Sequence, residues 1–422
     1  MSHIVILVGS YYPDFQAVGI CVRNIVNELK IDNEITIISK KSSFKLNFED
    51  EFNGVKINRI QTKSSRALQY LDQKIKTTKG AKKIFYKLCK DFFRTLRLFK
   101  VLNSNSVLYK DEVEAYSKKL NEINKKKRVE VVIPCASPFE TCIASIQFKQ
   151  KNKGIKLVPY MFDHFSNNDA IYRHSKLLRY LKFKNHVKLE KLLYDNSDVI
   201  LCMKHYINSQ KLIHKGVDKF IAVEHPLLLR SKADKSFEFN KDKLIIVYTG
   251  VLYKKIRNPE YAFTIISELM NNKSNIELHI FGSGDCYSII HYYQSIFPNQ
   301  IKYHGHVNSE IAESARENCD ILLSIGNISN NQLPSKTFEY MSAMKPIIHF
   351  SSNKTDDTIS ILRRYPSSCI LFEDSIRFRE NLVKLEEFLK TENKIDSFDQ
   401  LEKIFFDAVP SYTSEKILRY LQ

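Results

Sequence analysis

Asn331-Gln332-Leu333-Pro334-Ser335-Lys336-Thr337-Phe338-Glu339-Tyr340-Met341 is the stretch whose reading decides the fold. Pro334 suits the first position of a helix, where its missing N–H is one of the groups without an intrahelical partner anyway. Glu339 then lies about a turn and a half into that helix. Lys345-Pro346 stops it, and Ile347-Ile348-His349-Phe350 reads as a buried strand. Upstream, Asp320 to Ile325 reads as another. A helix between two strands of this kind belongs to a parallel, doubly wound sheet. Its N-terminus, opening at the carboxyl end of a strand, is an anion site. A carboxylate deeper in the same helix suits sugar hydroxyls, and the two together suit a nucleotide-sugar.

The run Leu333-Pro334-Ser335-Lys336, followed by Phe338-Glu339-Tyr340-Met341-Ser342-Ala343 and Lys345-Pro346-Ile347-Ile348, resembles the donor-binding motif of GT-B glycosyltransferases of the family-4 type, the glycosyl transferases group 1. By that resemblance Glu339 holds the nucleotide ribose, and Ser335 and Lys336 are candidate donor contacts. The family has a second carboxylate eight positions earlier, on the transferred sugar; this chain has Asn331, an amide that can still hydrogen-bond hydroxyls without charge. The plain alternative is a surface glutamate on an ordinary helix.

With 422 residues the chain is long enough for two domains. No apolar run approaches the ~20 residues of a membrane span. A strand begins almost at once, at His3, so no signal peptide is expected. Eight cysteines show neither a C-x-x-C pair nor a zinc spacing, and are expected as buried reduced thiols. The net charge is +18, but residues 62–128 hold 19 Lys and Arg against 6 Asp and Glu, a net of +13. So concentrated an excess argues against a general nucleic-acid surface, and no nucleic-acid motif accompanies it.

In the N-terminal half, Ile4 to Val8 reads as a strand buried on both faces, followed by a helix from Gly19 to Lys30 and a strand from Ile35 to Ser39. No G-x-G-x-x-G is present. The resembling family has a Gly-Gly pair at the helix start, whose amides face donor phosphates or acceptor; only the second glycine is kept, as Gly19. Lys82 to Leu102 reads as a helix. Ile84, Phe85, Leu88, Phe92, Leu96 and Phe99 share one face, and Lys83, Lys87, Lys90, Arg94 and Arg97 the opposite one. Such a helix suits an anionic membrane surface. It equally suits packing on the sheet with a solvated basic face. Ile155 to Phe162 reads as a strand ending in Asp163-His164, candidate catalytic residues for acceptor binding or proton handling, or else a capping Asp beside a structural His.

In the C-terminal half, Leu244 to Gly250 opens a second parallel sheet. The resembling family neutralises the donor diphosphate with an Arg and a Lys in the following loop; Lys255 and Arg257 are the candidates. Gly282-Ser283-Gly284 is expected as a turn between strand and helix, and Gly282, Gly284 and His306 as donor contacts near the nucleotide. His304 and His306 alternate along a strand and face opposite ways, so one shared metal ion is not expected.

The expected fold is α/β, two Rossmann-like doubly wound domains facing a cleft. The expected division is residues 1–228 for acceptor binding (62–128 a basic helical insertion), 229–243 as linker, 244–398 for the nucleotide-sugar, and 399–422 crossing back to the first domain. The resemblance implies a hexosyltransferase; the reduced thiols imply a cytoplasmic place for it, and the basic helix suggests an acceptor at the membrane, with the protein peripheral on the inner face of the plasma membrane. It would move a sugar from a nucleoside diphosphate sugar to a glycan or lipid-linked hydroxyl with retention, in bacterial surface polysaccharide synthesis, with no metal and no cofactor. A GT-B-fold sugar-nucleotide epimerase and a non-catalytic scaffold are the alternatives.

Overall fold

A computed structural model describes residues 2–102, 108–166, 176–230, 237–328, 336–354, 356–391 and 395–420. The chain divides into two compact units, Met1–Pro226 with Pro410–Gln422, and Leu227–Val409. Asn331 and Ser335 lie outside the described residues, as does the start of the helix expected at Pro334.

Unit 1 holds strands β1 (His3–Leu7), β2 (Glu34–Lys40), β3 (Glu49–Phe52), β4 (Val55–Ile60), β5 (Val131–Pro134), β6 (Lys156–Leu157), β7 (Tyr160–Met161), β8 (Ile200–Met203) and β9 (Phe220–Val223). Its helices are α1 (Ala17–Leu29), α2 (Lys63–Thr77), α3 (Gly80–Leu102), α4 (Lys110–Lys126), α5 (Glu140–Lys151), α6 (Lys176–Asn196) and α7 (Lys204–Ile213). One sheet runs β3-β4-β2-β1-β5-β6 and a second β7-β8-β9. The single strand expected over Ile155–Phe162 is two short pieces. Pro159, which has no N–H to give a ladder, sits at the break, and Cys135 bridges Tyr160 across it.

β1, β5 and β8 are buried throughout, as parallel strands covered on both faces must be. The exception to parallel pairing is β3, which pairs antiparallel with β4. Its turn is Asn53-Gly54, with φ of 51° and 75°, the double left-handed conformation that a two-residue hairpin needs.

Unit 2 is regular. Its strands β10 (Leu244–Leu252), β11 (Ile276–Gly284), β12 (Ile301–Gly305), β13 (Ile321–Ile325), β14 (Ile347–Ser351) and β15 (Ser368–Phe372) form one parallel sheet in the order β12-β11-β10-β13-β14-β15. Helices α8 (Glu260–Asn272), α9 (Tyr287–Ile296), α10 (Ser309–Asn318), α11 (Lys336–Ser342), α12 (Asp357–Leu362), α13 (Phe378–Lys390) and α14 (Phe398–Ile404) accompany it; the last helix, α15 (Pro410–Leu418), belongs to unit 1. Ile246, Phe263, Ile266, Leu278, Leu323 and Ile348 centre its core. The chain winds outward from β10 to β12, then returns to β13 on the other side of β10. The carboxyl ends of β10 and β13 therefore form the switch point where ligands bind in such sheets.

Two sequence expectations change here. Gly282-Ser283-Gly284 is the end of β11, not a turn. Gly250 pairs with Gly282 and Leu252 with Gly284, and β10 runs on to Leu252. Part of the stretch expected as linker is packed: the Phe237 N–H donates to Ser314 Oγ at 2.9 Å, and the Phe237 ring meets Phe281 edge to face.

Candidate functional site

The switch point of unit 2 gathers charge around one residue, Thr249, near the end of β10. Lys336, the first described residue of α11, donates to the Thr249 carbonyl at 3.3 Å. Arg316, in the last turn of α10, reaches the Thr249 hydroxyl at 3.5 Å and the Glu339 carboxylate at 3.6 Å. Tyr340 accepts from the Thr249 N–H at 2.8 Å and donates to its carbonyl at 3.1 Å. Arg257, in the loop after β10, donates to Asn327 Oδ1 at 2.8 Å, beyond β13. The backbone bond from Ile328 N–H to the Ile256 carbonyl ties the same two loops together. The Nε of Arg257 is buried and meets no acceptor among the described residues.

Three cations, Arg257, Arg316 and Lys336, thus stand near one carboxylate, Glu339. Burial lowers the Lys336 pKa, the Glu339 charge opposes that shift, and Arg316 and Arg257 add to it. A buried cation without full compensation is costly, so the arrangement favours an anion carrying about two charges.

The other sequence candidates fall out as follows. Lys255 is exposed, and Arg257 is the loop cation with built contacts. A Cβ on Gly282 would lie 1.6 Å from the Gly250 carbonyl oxygen, and one on Gly284 1.8 Å from that of Leu252. Both glycines serve the close approach of β10 and β11. His306 is exposed just past β12. His304 is tied in instead: its Nε2 lies 3.0 Å from His279 Nδ1, whose Nε2 lies 3.1 Å from Glu277, and its ring stacks on Phe281. Among the described residues no group of His, Cys, Asp and Glu could hold a metal ion. Arg316, Thr249, Tyr340 and Asn327 were not singled out from sequence. Arg316 sits in Ala-Arg-Glu-Asn at a helix end, a pattern that carries no sign of burial.

In unit 1, Asp163 and His164 follow β7. Gln210 Nε2 donates to His164 Nδ1 at 2.8 Å, and His164 Nε2 meets Ser209 Oγ at 2.9 Å. Tyr194 donates to the other end of the Gln210 amide at 3.0 Å. Both imidazole nitrogens are engaged by α7, and burial lowers the ring's pKa. His164 is a clasp between strand end and helix. The next two amides, Phe165 and Ser166, donate to Glu190 at 3.2 and 3.0 Å, and Glu190 also meets His214 at 3.0 Å.

Asp163 differs. Burial raises its carboxyl pKa, the charge of His225 opposes the rise, and no described residue hydrogen-bonds it. His225 in turn takes Glu224 on Nδ1 at 3.1 Å. Burial pushes the Glu224 carboxyl up, but hydrogen bonds and charge from His225 together hold it low. The carboxyl ends of β7 and β9 therefore bring Asp163, Glu224 and His225 together. Only Asp163 was a sequence candidate; Glu224-His225 reads in sequence as the close of a domain. Gly19 lies inside α1, where a Cβ would stand 2.7 Å from the Ser10 carbonyl, so its smallness fits the loop against the helix.

The five basic residues expected on one face of α3 separate into two groups. Lys83, Lys87 and Arg94 are exposed. Lys90 pairs with Asp72 of α2, and Arg97 pairs with Glu112 of α4 at 2.6 Å while its guanidinium lies over Tyr109.

No protein-family model matches this sequence, and no curated protein matches it. Solved structures do. Sucrose-phosphate synthase from Thermosynechococcus elongatus is 11% identical with a TM-score of 0.61, covering 100% of this chain and 98% of that one. Anabaena HepE, in complex with UDP, is 11% identical with a TM-score of 0.60, covering 100% and 99%. A UDP-N-acetylglucosamine 2-epimerase is 11% identical with a TM-score of 0.52, covering 99% and 94%. At such identities the likeness establishes the fold: two parallel-sheet α/β units, as in GT-B glycosyltransferases.

Proposed function

We propose that this protein is a glycosyltransferase that takes a hexose-type sugar from a nucleoside diphosphate sugar. The observation that carries the reading is the set of three cations, Arg257, Arg316 and Lys336, beside the single carboxylate Glu339 at the switch point of unit 2. Their formal sum of +2 matches a diphosphate. The likeness in fold to a protein solved with UDP supports the same reading. Arg257 and Lys336 bind the diphosphate; Glu339 takes the ribose hydroxyls.

In the transfer, the bond from the sugar's C1 to the diphosphate oxygen breaks and its electron pair leaves with the diphosphate. The acceptor oxygen bonds C1 from the same face, and its proton passes to the departing diphosphate. Retention follows. The cations stabilise the charge that develops on the leaving group, each charged hydrogen bond contributing about 1.5–3 kcal/mol. They do the work of a divalent ion, so the reaction should proceed in a chelator. Asp163 is the candidate for the acceptor hydroxyl, since both nitrogens of His164 are engaged. Asn331 and Ser335 remain candidate donor contacts. The acceptor we favour is lipid-linked, on the inner face of a bacterial membrane, in surface polysaccharide synthesis; the exposed apolar side of α3 supports this.

The test is calorimetric titration, without divalent metal, against UDP, GDP, ADP and CMP, beside Glu339→Ala. Saturable binding of one nucleotide, lost in the variant, supports the donor site. A folded protein that binds none removes it. The likeness to an epimerase favours a second reading: release of an altered sugar nucleotide with no acceptor present would replace transfer with epimerisation.

A further inference from the structure

Helix α3 presents three sectors, at about 100° per residue. One turns to the protein: Tyr86, Cys89, Lys90, Phe93 and Arg97 are half-buried, and Lys90 and Arg97 are ion-paired there. A second is basic and exposed, with Lys83, Lys87 and Arg94. The third is apolar: Ile84, Phe85, Leu88, Phe92, Leu96 and Phe99, all exposed, Phe92 at 66% and Leu88 at 64%. It runs unbroken from residue 84 to 99, about 22 Å of helix. An exposed apolar stripe of this length marks an interaction surface. The chain's periodicity alone would have allowed the stripe to face the sheet; in the structure nothing described covers it.

Charge decides the occupant. Residues 63–102 carry twelve Lys and Arg against two Asp, a net of +10. A second copy of α2 and α3 would meet like charge, and an ordinary apolar groove would leave the basic sector unused. An anionic bilayer surface satisfies both sectors together, the stripe entering the acyl boundary and the lysines meeting headgroups. No described helix is long and apolar enough to cross a membrane, so this one would lie in the plane of the surface.

We propose that α3 is an in-plane membrane anchor that seats unit 1 on an anionic leaflet through the Ile84–Phe99 stripe, with Lys83, Lys87 and Arg94 toward the headgroups and Lys90 and Arg97 serving as internal struts. The role given to that surface, placing a lipid-linked acceptor, rests on the transferase reading; the anchoring itself does not.

The chain contains no tryptophan, so a single introduced one reports its surroundings without background. Phe92→Trp lies in the stripe and Phe93→Trp in the inner sector. With vesicles of phosphatidylglycerol and phosphatidylcholine, Phe92→Trp emission should shift to the blue and Phe93→Trp should not move. With pure phosphatidylcholine both should stay unchanged. Combined Lys83→Glu, Lys87→Glu and Arg94→Glu should weaken vesicle binding by at least about tenfold, and high salt should weaken the unmodified protein in the same direction. Phe92→Trp emission that ignores anionic vesicles would overturn the anchor. So would emission already blue-shifted without vesicles and reversed by dilution, which would make the stripe a contact between protein chains. Nucleotide titration of the same preparation separates the two readings: vesicle binding without nucleotide binding removes the transferase and keeps the anchor.

Discussion

Arg316 holds its guanidinium 3.6 Å from Glu339 Oε2, while no described residue donates to Glu339 Oε1. One oxygen of the carboxylate is held from α10; in the proposed donor site the other would take a ligand hydroxyl. Arg316→Gln should therefore weaken nucleoside diphosphate binding by about 1.5–3 kcal/mol, roughly 10- to 150-fold. Its melting temperature should change little, because removing one of three neighbouring cations relieves repulsion on Lys336 that offsets the lost 3.6 Å pair. Lost stability with unchanged affinity would make the pair a fold contact only.

The glycines of β11 make a sharper stability prediction. Gly282→Ala sets a methyl 1.6 Å from a backbone oxygen, and neither strand can yield without breaking the β10–β11 ladder. The variant should be insoluble or lose its cooperative unfolding transition. Gly54→Ala meets nothing within 4 Å and has only its φ of 75° against it; it should cost about 1–3 kcal/mol. Comparable soluble yields and urea midpoints for the two would contradict the geometry.

Arg97 and Lys87 lie on the same helix with opposite expected effects. Arg97 pairs with Glu112, a carboxylate 5% exposed that is shared with Lys40. Arg97→Gln should lower the melting temperature by several degrees, about 1–3 kcal/mol. Lys87→Gln should leave it within about 0.5 kcal/mol. A thermal scan of each decides the assignment of Arg97 as a strut.

Acid should loosen unit 1 through its histidines. Burial lowers His186 and His205 from 6.5 to about 4; Glu190 opposes the shift at His186, and His225 reinforces it at His205. Between those values the unfolded chain binds the protons and the folded chain does not. Their stabilisation is thus fully present above about pH 6.5 and is lost progressively as the pH falls toward 4. Urea midpoints at pH 7, 6 and 5 should fall, and His186→Gln should flatten that slope whatever it does to the midpoint at pH 7. An unchanged slope would rule His186 out of the transition.

Much of the fold was legible because parallel strands announce themselves. Ile4-Val5-Ile6-Leu7 and Leu244-Ile245-Ile246-Val247 can be buried on both faces only in such a sheet. The helix bearing Lys336 and Glu339 was legible from its flanking strands. The hairpin at Asn53-Gly54 carried its own signal and went unread. Arg316 had none: its contact with Glu339 spans 23 positions and depends on how α10 and α11 flank Thr249. Periodicity grouped Ile84 with Phe92, but it could not say what covers them, nor that Lys90 and Arg97 lie on the inner border of their sector. The engagement of His164 was equally hidden, because Ser209 and Gln210 come from a helix 45 residues away.

The course of the chain between its two units also orders its synthesis. Unit 1 lacks its last helix, α15, until residue 410 and beyond have been made. Asn24 donates to the Pro226 carbonyl at 2.9 Å and Ser414 to that of Ile25 at 3.3 Å, so one turn of α1 anchors both the departing and the returning chain. On the ribosome, unit 2 can finish folding while unit 1 still waits for its closing segment, reversing the usual N-to-C order of domain completion. Nascent chains stalled with residue 409 just outside the tunnel should protect unit 2 from protease and leave α1 open to it.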